Sequence, residues 1–246
     1  MQPIPLALDL VTQLAPWAWL SLLVALLGAA WIHFDLRHRP PPMAVMRWVW
    51  PLAALWGSAF GIALYLVAGR GQPAAQPRSA MAGMDMKSMS GGSMAMASSR
   101  PFPLRVAAGT AHCGAGCAVA DLVGGWLFYL VPWVIAGSAV LGEWTGEYLL
   151  ALVFGVGFQY AAIQPMLNLP PLQAIARAFK VDVLSLSAWQ LGMYGFMALV
   201  LFVWLGRVPP SHPVFWFAMQ GAMIAGFFCS YLVNWWLIRT GVKPAM

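Results

Sequence analysis

PVFWFAMQGAMIAGFFCSYLVNWWLI, Pro213 to Ile238, runs for 26 residues without an Asp, Glu, Lys or Arg. A helix rises about 1.5 Å per residue, so about 20 apolar residues cross a hydrocarbon core of about 30 Å. The stretch is long enough to do so, and its apolar residues form an unbroken run rather than one stripe, the pattern of burial in lipid. Working outward, five similar runs lie at about 12–34, 47–68, 115–141, 147–166 and 187–206. The composition agrees. Hydrophobic residues make up 61%, charged residues 8%, and mean hydropathy is +0.75, whereas an ordinary soluble domain carries about 25% charged residues. The expected fold class is all-α, a polytopic transmembrane helical bundle of about six spans.

The first run could be mistaken for a secretion signal. It has no basic residue at its start and its apolar stretch exceeds the usual length, so it reads as a retained helix. Aromatic residues at the ends of several runs (Trp17, Trp19, Trp48, Trp50, Trp144, Tyr148, Trp235, Trp236) fit a belt at the lipid headgroups. The chain divides into residues 1–68 with the first two helices, 69–108 as a flexible loop rich in Met, Gly and Ser, and 109–246 as a four-helix region. Residues 167–186 have helical spacing with Arg177 and Lys180 and read as a helix lying along the interface.

With six crossings, both termini share a face with the second and fourth connections. Nine Lys and Arg fall there, including Arg70, Arg100, Arg177 and Lys243, against Arg37, Arg39, Arg47 and Arg207 on the other face. The excess puts both termini in the cytoplasm of a bacterial inner membrane. The net charge of +6 and pI of about 9.6 then reflect topology. The basic residues are scattered, so a nucleic acid is not an expected partner.

The densest chemistry lies at His112-Cys113-Gly114-Ala115-Gly116-Cys117-Ala118-Val119-Ala120-Asp121, read as the mouth of the third span. On a helix, Cys113, Cys117 and Asp121 stand at i, i+4 and i+8 on one face. Thiolates, with the neighbouring imidazole of His112, suit a soft metal such as Cu(I), or Zn(II). There is no second Cys pair for structural zinc and no Cys-x-x-Cys for thioredoxin-like chemistry. The plain alternative is that Gly114, Gly116 and the small cysteines permit close helix packing.

Upstream, Met81, Met84, Met86, Met89, Met94 and Met96 punctuate the polar loop. Thioethers select Cu(I) over harder cations, so the loop is a candidate copper trap, against a reading as compositional drift. Within the spans, Ser187, Gln190, Tyr194 and Met197 share a face, as do Met219, Met223, Ser230 and Asn234, and Gln159, Tyr160 and Gln164 add polar atoms. Such residues turn inward and form an interhelical network, or else line a transport path past Met197, Met219 and Met223. Cys229 reads as a small buried hydrophobe. No phosphate loop, catalytic Ser/His/Asp order or facing haem ligands are visible.

The His112–Cys117 motif with Asp121, together with Phe158-Gln159-Tyr160-Ala161, Asp182-Val183-Leu184-Ser185-Leu186-Ser187, Met193-Tyr194-Gly195 and Ser230 to Ile238, resembles the bacterial membrane family called domain of unknown function 4396. The resemblance extends over the whole chain apart from the Met-rich loop. It implies a multi-pass helical fold and brings no activity. The expected function is therefore argued from chemistry: soft-metal handling, with copper as the bound metal and a copper-carrying protein and the lipid bilayer as partners. The runner-up is an enzyme, a membrane thiol oxidoreductase cycling Cys113 and Cys117 against a quinone or partner protein. A third reading is a structural subunit without metal.

Overall fold

A computed structural model describes residues 5–71, 100–167 and 170–243. Among these residues the chain is helical, with no strand. Helix α1 spans Pro5–His38, α2 Met46–Gly57, and α3 Ala59–Leu64, which continues as a π-helical turn, Tyr65–Gly69. Helices α4 (Phe102–Leu130), α5 (Ala139–Leu167), α6 (Pro171–Leu199, extended by a π-helical turn Val200–Trp204) and α7 (Pro213–Arg239) follow. Pro103, Pro171 and Pro213 sit in the first turns of α4, α6 and α7, where a missing N–H costs nothing and the fixed φ is already helical. At α7, His212 caps the helix, its Nδ1 accepting from Val214 N at 3.3 Å.

Five helices, α1, α4, α5, α6 and α7, are long and apolar enough to cross a membrane, so the chain is a multi-pass membrane protein. The run expected at 47–68 as a sixth crossing is instead a hairpin. Its chain reverses at Ser58, which adopts φ 48°. Beyond it α3 runs back along α2: Gly61 lies against the backbone of Ala53, and Gly69 against the ring of Trp50, too close in both places for a Cβ.

Both ends of the hairpin therefore meet the C-terminal end of α1. Tyr65 donates to Asp35 Oδ2 at 2.6 Å, Arg70 pairs with the same carboxylate at 2.9 Å, and Arg39 donates to Gly71 O at 3.1 Å. A reversal in mid-membrane is tolerated only where protein satisfies its backbone. Here Ser58 N donates to Ala54 O at 2.8 Å and Ser58 Oγ to Ser21 O at 2.9 Å.

The hairpin changes the topology. With five crossings the ends of the bundle lie on opposite faces, not both on one as expected from six. Arg37, Arg39, Arg47, Arg70, Arg100, Arg105, Arg177, Lys180, Arg239 and Lys243 gather at one end, hereafter the basic face, and Arg207 alone among the described basic residues lies at the other. Because the hairpin fills only the basic half of its layer, a cavity of about 470 Å³ remains beyond its tip, bordered by Ser21, Ser58, Phe196, Trp204 and Gln220.

Helix α4 is the axis of the remaining bundle. Glycines bring its neighbours close: a Cβ on Gly116 would stand 2.6 Å from Gly155 Cα on α5, and Gly114 and Gly226 flank the Trp189 ring of α6. Three further expectations change. α4 begins at Phe102, so the His-Cys motif lies inside the helix, not at its mouth, and residues 102–108 are helical rather than loop. Residues 171–181 are no separate interfacial helix but the first turns of α6, with Ala174 and Ala178 buried and Leu172 outward. Trp50 is buried against Gly69 and Cys229 is exposed, whereas Trp17, Trp19, Trp48 and Trp236 face outward.

Candidate functional site

Cys113, on the fourth turn of α4, is 1% exposed, and the bundle surrounds its sulfur with unlike groups. Its thiol donates to Asp182 Oδ1 on α6 at 3.0 Å and lies 3.5 Å from Ser185 Oγ. Lys243, just past the end of α7, folds back into the bundle until its side chain is fully buried. Its ammonium donates to Cys113 Sγ at 3.0 Å and to Asp182 Oδ1 and Ser185 Oγ at 3.3 Å each. Ser185 also donates to Asp182, its own neighbour one turn back. Burial by itself pulls the Lys243 ammonium down, but the Cys113 sulfur and the Asp182 carboxylate beside it hold it above the usual lysine range.

Charge balance explains why this cluster can be buried. One ammonium, one carboxylate and a thiol sum to zero, and the donors are shared around one point. Chemically it is a cation position built from a sulfur, a carboxylate and a hydroxyl oxygen, with the protein's own ammonium standing in it.

The other three residues of the motif go elsewhere. His112 points to α5, its ring edge-on to Phe158 at 6.2 Å. Cys117 is wholly buried one turn deeper. Asp121 is 2% exposed, and neither carboxylate oxygen has a hydrogen-bond partner among the described residues. It borders a cavity of about 240 Å³ with Met219, Met223, Gln220 and Trp56. Among the described residues no three His, Cys, Asp or Glu side chains surround one ion, so the motif is spread over distinct environments. Cys113 and Cys117 are both free thiols, and the helix is unbroken through them.

The polar and Met face of the bundle divides in the same way. Asn234 donates to Thr110 Oγ1 at 3.3 Å and Ser230 Oγ at 3.1 Å. Tyr194 donates to Trp144 O at 2.7 Å and stacks on that indole. These are interhelical ties. Met223 accepts from Trp189 Nε1 at 3.4 Å, and Met197 borders a separate cavity beside Glu143 and Arg207 near the far end. Gln159 and Gln190 are buried with both amide atoms unpartnered among the described residues. Met81, Met84, Met86, Met89, Met94 and Met96 lie outside the described residues.

Three members of the cluster were not expected as site residues from sequence, Asp182 and Ser185 having entered only through the family resemblance and Lys243 only through the charge count. Asp182 and Ser185 had a usable signal: a carboxylate and a hydroxyl at i and i+3 entering an apolar run. Lys243 had none, because a lysine after a span reads as an interfacial charge.

No curated protein and no solved structure matches the chain. A family described as a domain of unknown function, DUF4396, matches residues 104–243. The matched segment opens near the start of α4 and closes on Lys243, so it contains the whole Cys113, Asp182, Ser185 and Lys243 cluster. It is narrower than the resemblance read from sequence, since α1 and the hairpin lie outside it. More than half of the chain falls within it, and the protein therefore belongs to the DUF4396 family.

Proposed function

We propose that this protein handles a monovalent soft metal, Cu(I), in a bacterial inner membrane, taking it at Cys113 from the cytoplasmic face. The observation that carries the reading is the ammonium of Lys243, 3.0 Å from Cys113 Sγ and 3.3 Å from Asp182 Oδ1 in a buried cluster. A cation already stands beside the sulfur. Cu(I) is held by a thiolate, so the Cys113 proton passes to the Asp182 carboxylate that already accepts it at 3.0 Å. Cu(I), thiolate and carboxyl then sum to zero as ammonium, carboxylate and thiol did. Lys243 leaves still protonated, and the sulfur is a soft ligand that ammonium does not use. Lys243 lies past the end of α7, so displacing it leaves every helix intact.

Orientation follows from the charge count: ten described basic residues at one end against one at the other favour the basic face as cytoplasmic. The Met-rich segment departs from Gly71 and returns at Arg100, both on that face, where its thioethers would collect Cu(I) for Cys113. A reporter fused after Met246 is then active only as a cytoplasmic reporter, and one placed ahead of α1 only as a periplasmic one; the same result at both ends would refute the five-crossing topology.

Anaerobic Cu(I) competition titrations on the purified full-length protein test the function. Cys113→Ser should remove the tightest site, and Lys243→Leu should strengthen it about tenfold by removing the competing ammonium. Unchanged Cu(I) affinity in both variants rejects the reading. A thiol oxidoreductase would instead bind no stoichiometric metal and would alternate between two thiols and a disulfide, for which α4 must unwind between Cys113 and Cys117.

A further inference from the structure

We propose that the cavity beneath the hairpin tip, lined by Asp121, Met219, Met223 and Trp56, is a second site for a monovalent soft cation, two turns of α4 further from the basic face than Cys113. The choice of cation rests on the metal-handling reading above; the site itself rests on its own geometry. The cavity holds about 240 Å³, room for one ion with a few waters. Two of its walls carry buried polar atoms with no partner among the described residues: both carboxylate oxygens of Asp121 and the indole Nε1 of Trp56, on residues 2% and 4% exposed. The carboxyl of Glu147 on α5, 2% exposed and with its Oε1 also unpartnered among the described residues, is the electrostatic neighbour of Asp121. Two carboxyl groups buried near each other need a proton or a cation to neutralise them. Met219 and Met223, 7% and 1% exposed, add two thioethers, that of Met223 also accepting from Trp189 Nε1 at 3.4 Å. Thioethers favour Cu(I) and Ag(I) over hard ions, and an indole at the same wall suits a cation.

Position gives the site a role. Asp121 stands one helical turn, about 6 Å, beyond Cys117 and two turns beyond Cys113 on the same face of α4. Trp56 belongs to the hairpin tip, where the chain reverses in mid-membrane, and such interruptions are where membrane proteins place ion sites. Gln220, held by Ser21 at 2.7 Å and Leu55 O at 3.0 Å, borders both this cavity and the 470 Å³ space leading toward the far face. A cation leaving Cys113 would step by way of Cys117 to Asp121 and the two methionines, and from there past Gln220.

The test uses full-length protein labelled with ¹³C at Met methyls, in detergent, with Ag(I) as the probe and resonances of Met219 and Met223 identified by Met219→Leu and Met223→Leu. These substitutions conserve volume and leave the fold intact. In a Cys113→Ser/Cys117→Ser background, Ag(I) should still shift both methyl signals, and adding Asp121→Asn should raise the concentration needed about tenfold. If neither methyl moves, or the shift ignores Asp121→Asn, the cavity is a packing gap and the second site is overturned. If the shifts occur only when the two cysteines are present, metal is confined to the thiols, which overturns this site while leaving the Cys113 reading standing. Shifts that persist although Cys113→Ser leaves tight Cu(I) binding untouched would uphold this site and reject the other.

Discussion

The two ends of the polar stripe on α4 obey opposite economies. At Cys113 a buried carboxylate, ammonium, hydroxyl and thiol share five contacts of 3.0–3.5 Å. Two turns away, Asp121 is as deeply buried and holds no hydrogen bond among the described residues. The first end is closed upon itself, and a cation can enter only by displacing one of its members. The second is not closed by a counter-charge: no described group bonds to its carboxylate, and a cavity of about 240 Å³ borders the residue. A stripe of ligand-type residues on one helix face is thus not one site; what each residue can bind depends on which other helices meet it there.

The strongest way to break this contrast is at the crossing that separates the two ends. Gly116 lies between Cys113 and Asp121, and a Cβ there would stand 2.6 Å from Gly155 Cα. The obstructing atoms are backbone, so no rotamer change relieves them. Gly116→Val should cost about 3 kcal/mol or more, the upper range for overpacking, visible as a large fall in the thermal unfolding midpoint or loss of monodisperse protein. A wild-type midpoint would mean that α4 and α5 do not cross so closely.

A smaller loss is expected at the closed end. Asp182→Asn removes the counter-charge of Lys243, and breaking a buried pair costs about 3–5 kcal/mol when the orphan cannot escape. Lys243 can escape, because it lies past the end of α7 and outside any helix, so the loss should stop near about 2 kcal/mol and residues 240–243 should leave the bundle. Mass-spectrometric amine labelling reads this directly: Lys243 resists the reagent in the parent protein and reacts in Asp182→Asn. Lys243→Met in the same chain should recover part of the stability. The ammonium is held above its usual 10.5, so in the parent its docking is intact at neutral pH and is lost only as pH rises through that raised value. Labelling of Lys243 at neutral pH in the parent protein would show that the cluster is not closed.

How far these features can be read from sequence depends on whether they are written locally. Span-length apolar runs are local, and α1, α5 and α7 fall close to where hydropathy places them. The hairpin is not: residues 47–68 are as apolar as a crossing, and the reversal hangs on one residue, Ser58, whose hydroxyl meets Ser21 37 positions away. The start of α4 was masked for a related reason, since Arg105 and a run of Ala and Gly lower the average without breaking the helix. At the site, Cys113, Cys117 and Asp121 announce themselves by residue type. Their partners do not, because nothing in the spacing links position 113 to 182 or to 243. Only the packing of α6 and the return of the tail after α7 bring those charges to the sulfur.

The smallest effect on stability is expected where chemistry looks most exposed to damage. Asp121→Asn exchanges one oxygen for an NH₂ group of nearly the same shape, and Asp121 has no hydrogen bond among the described residues to lose. A buried carboxyl group with no hydrogen bond to lose, set near the like group of Glu147, contributes nothing that its replacement could forfeit, so the variant should unfold within about 0.5 kcal/mol of the parent, or slightly above it. Asp182→Asn is the same chemical change on another buried aspartate, and it should cost several times more. The pair of variants therefore measures the difference between the two ends of the stripe with the side-chain chemistry held constant. Equal losses at both positions would mean that Asp121 has a partner as strong as Lys243, and the open end of the stripe would have to be redrawn as a second closed one.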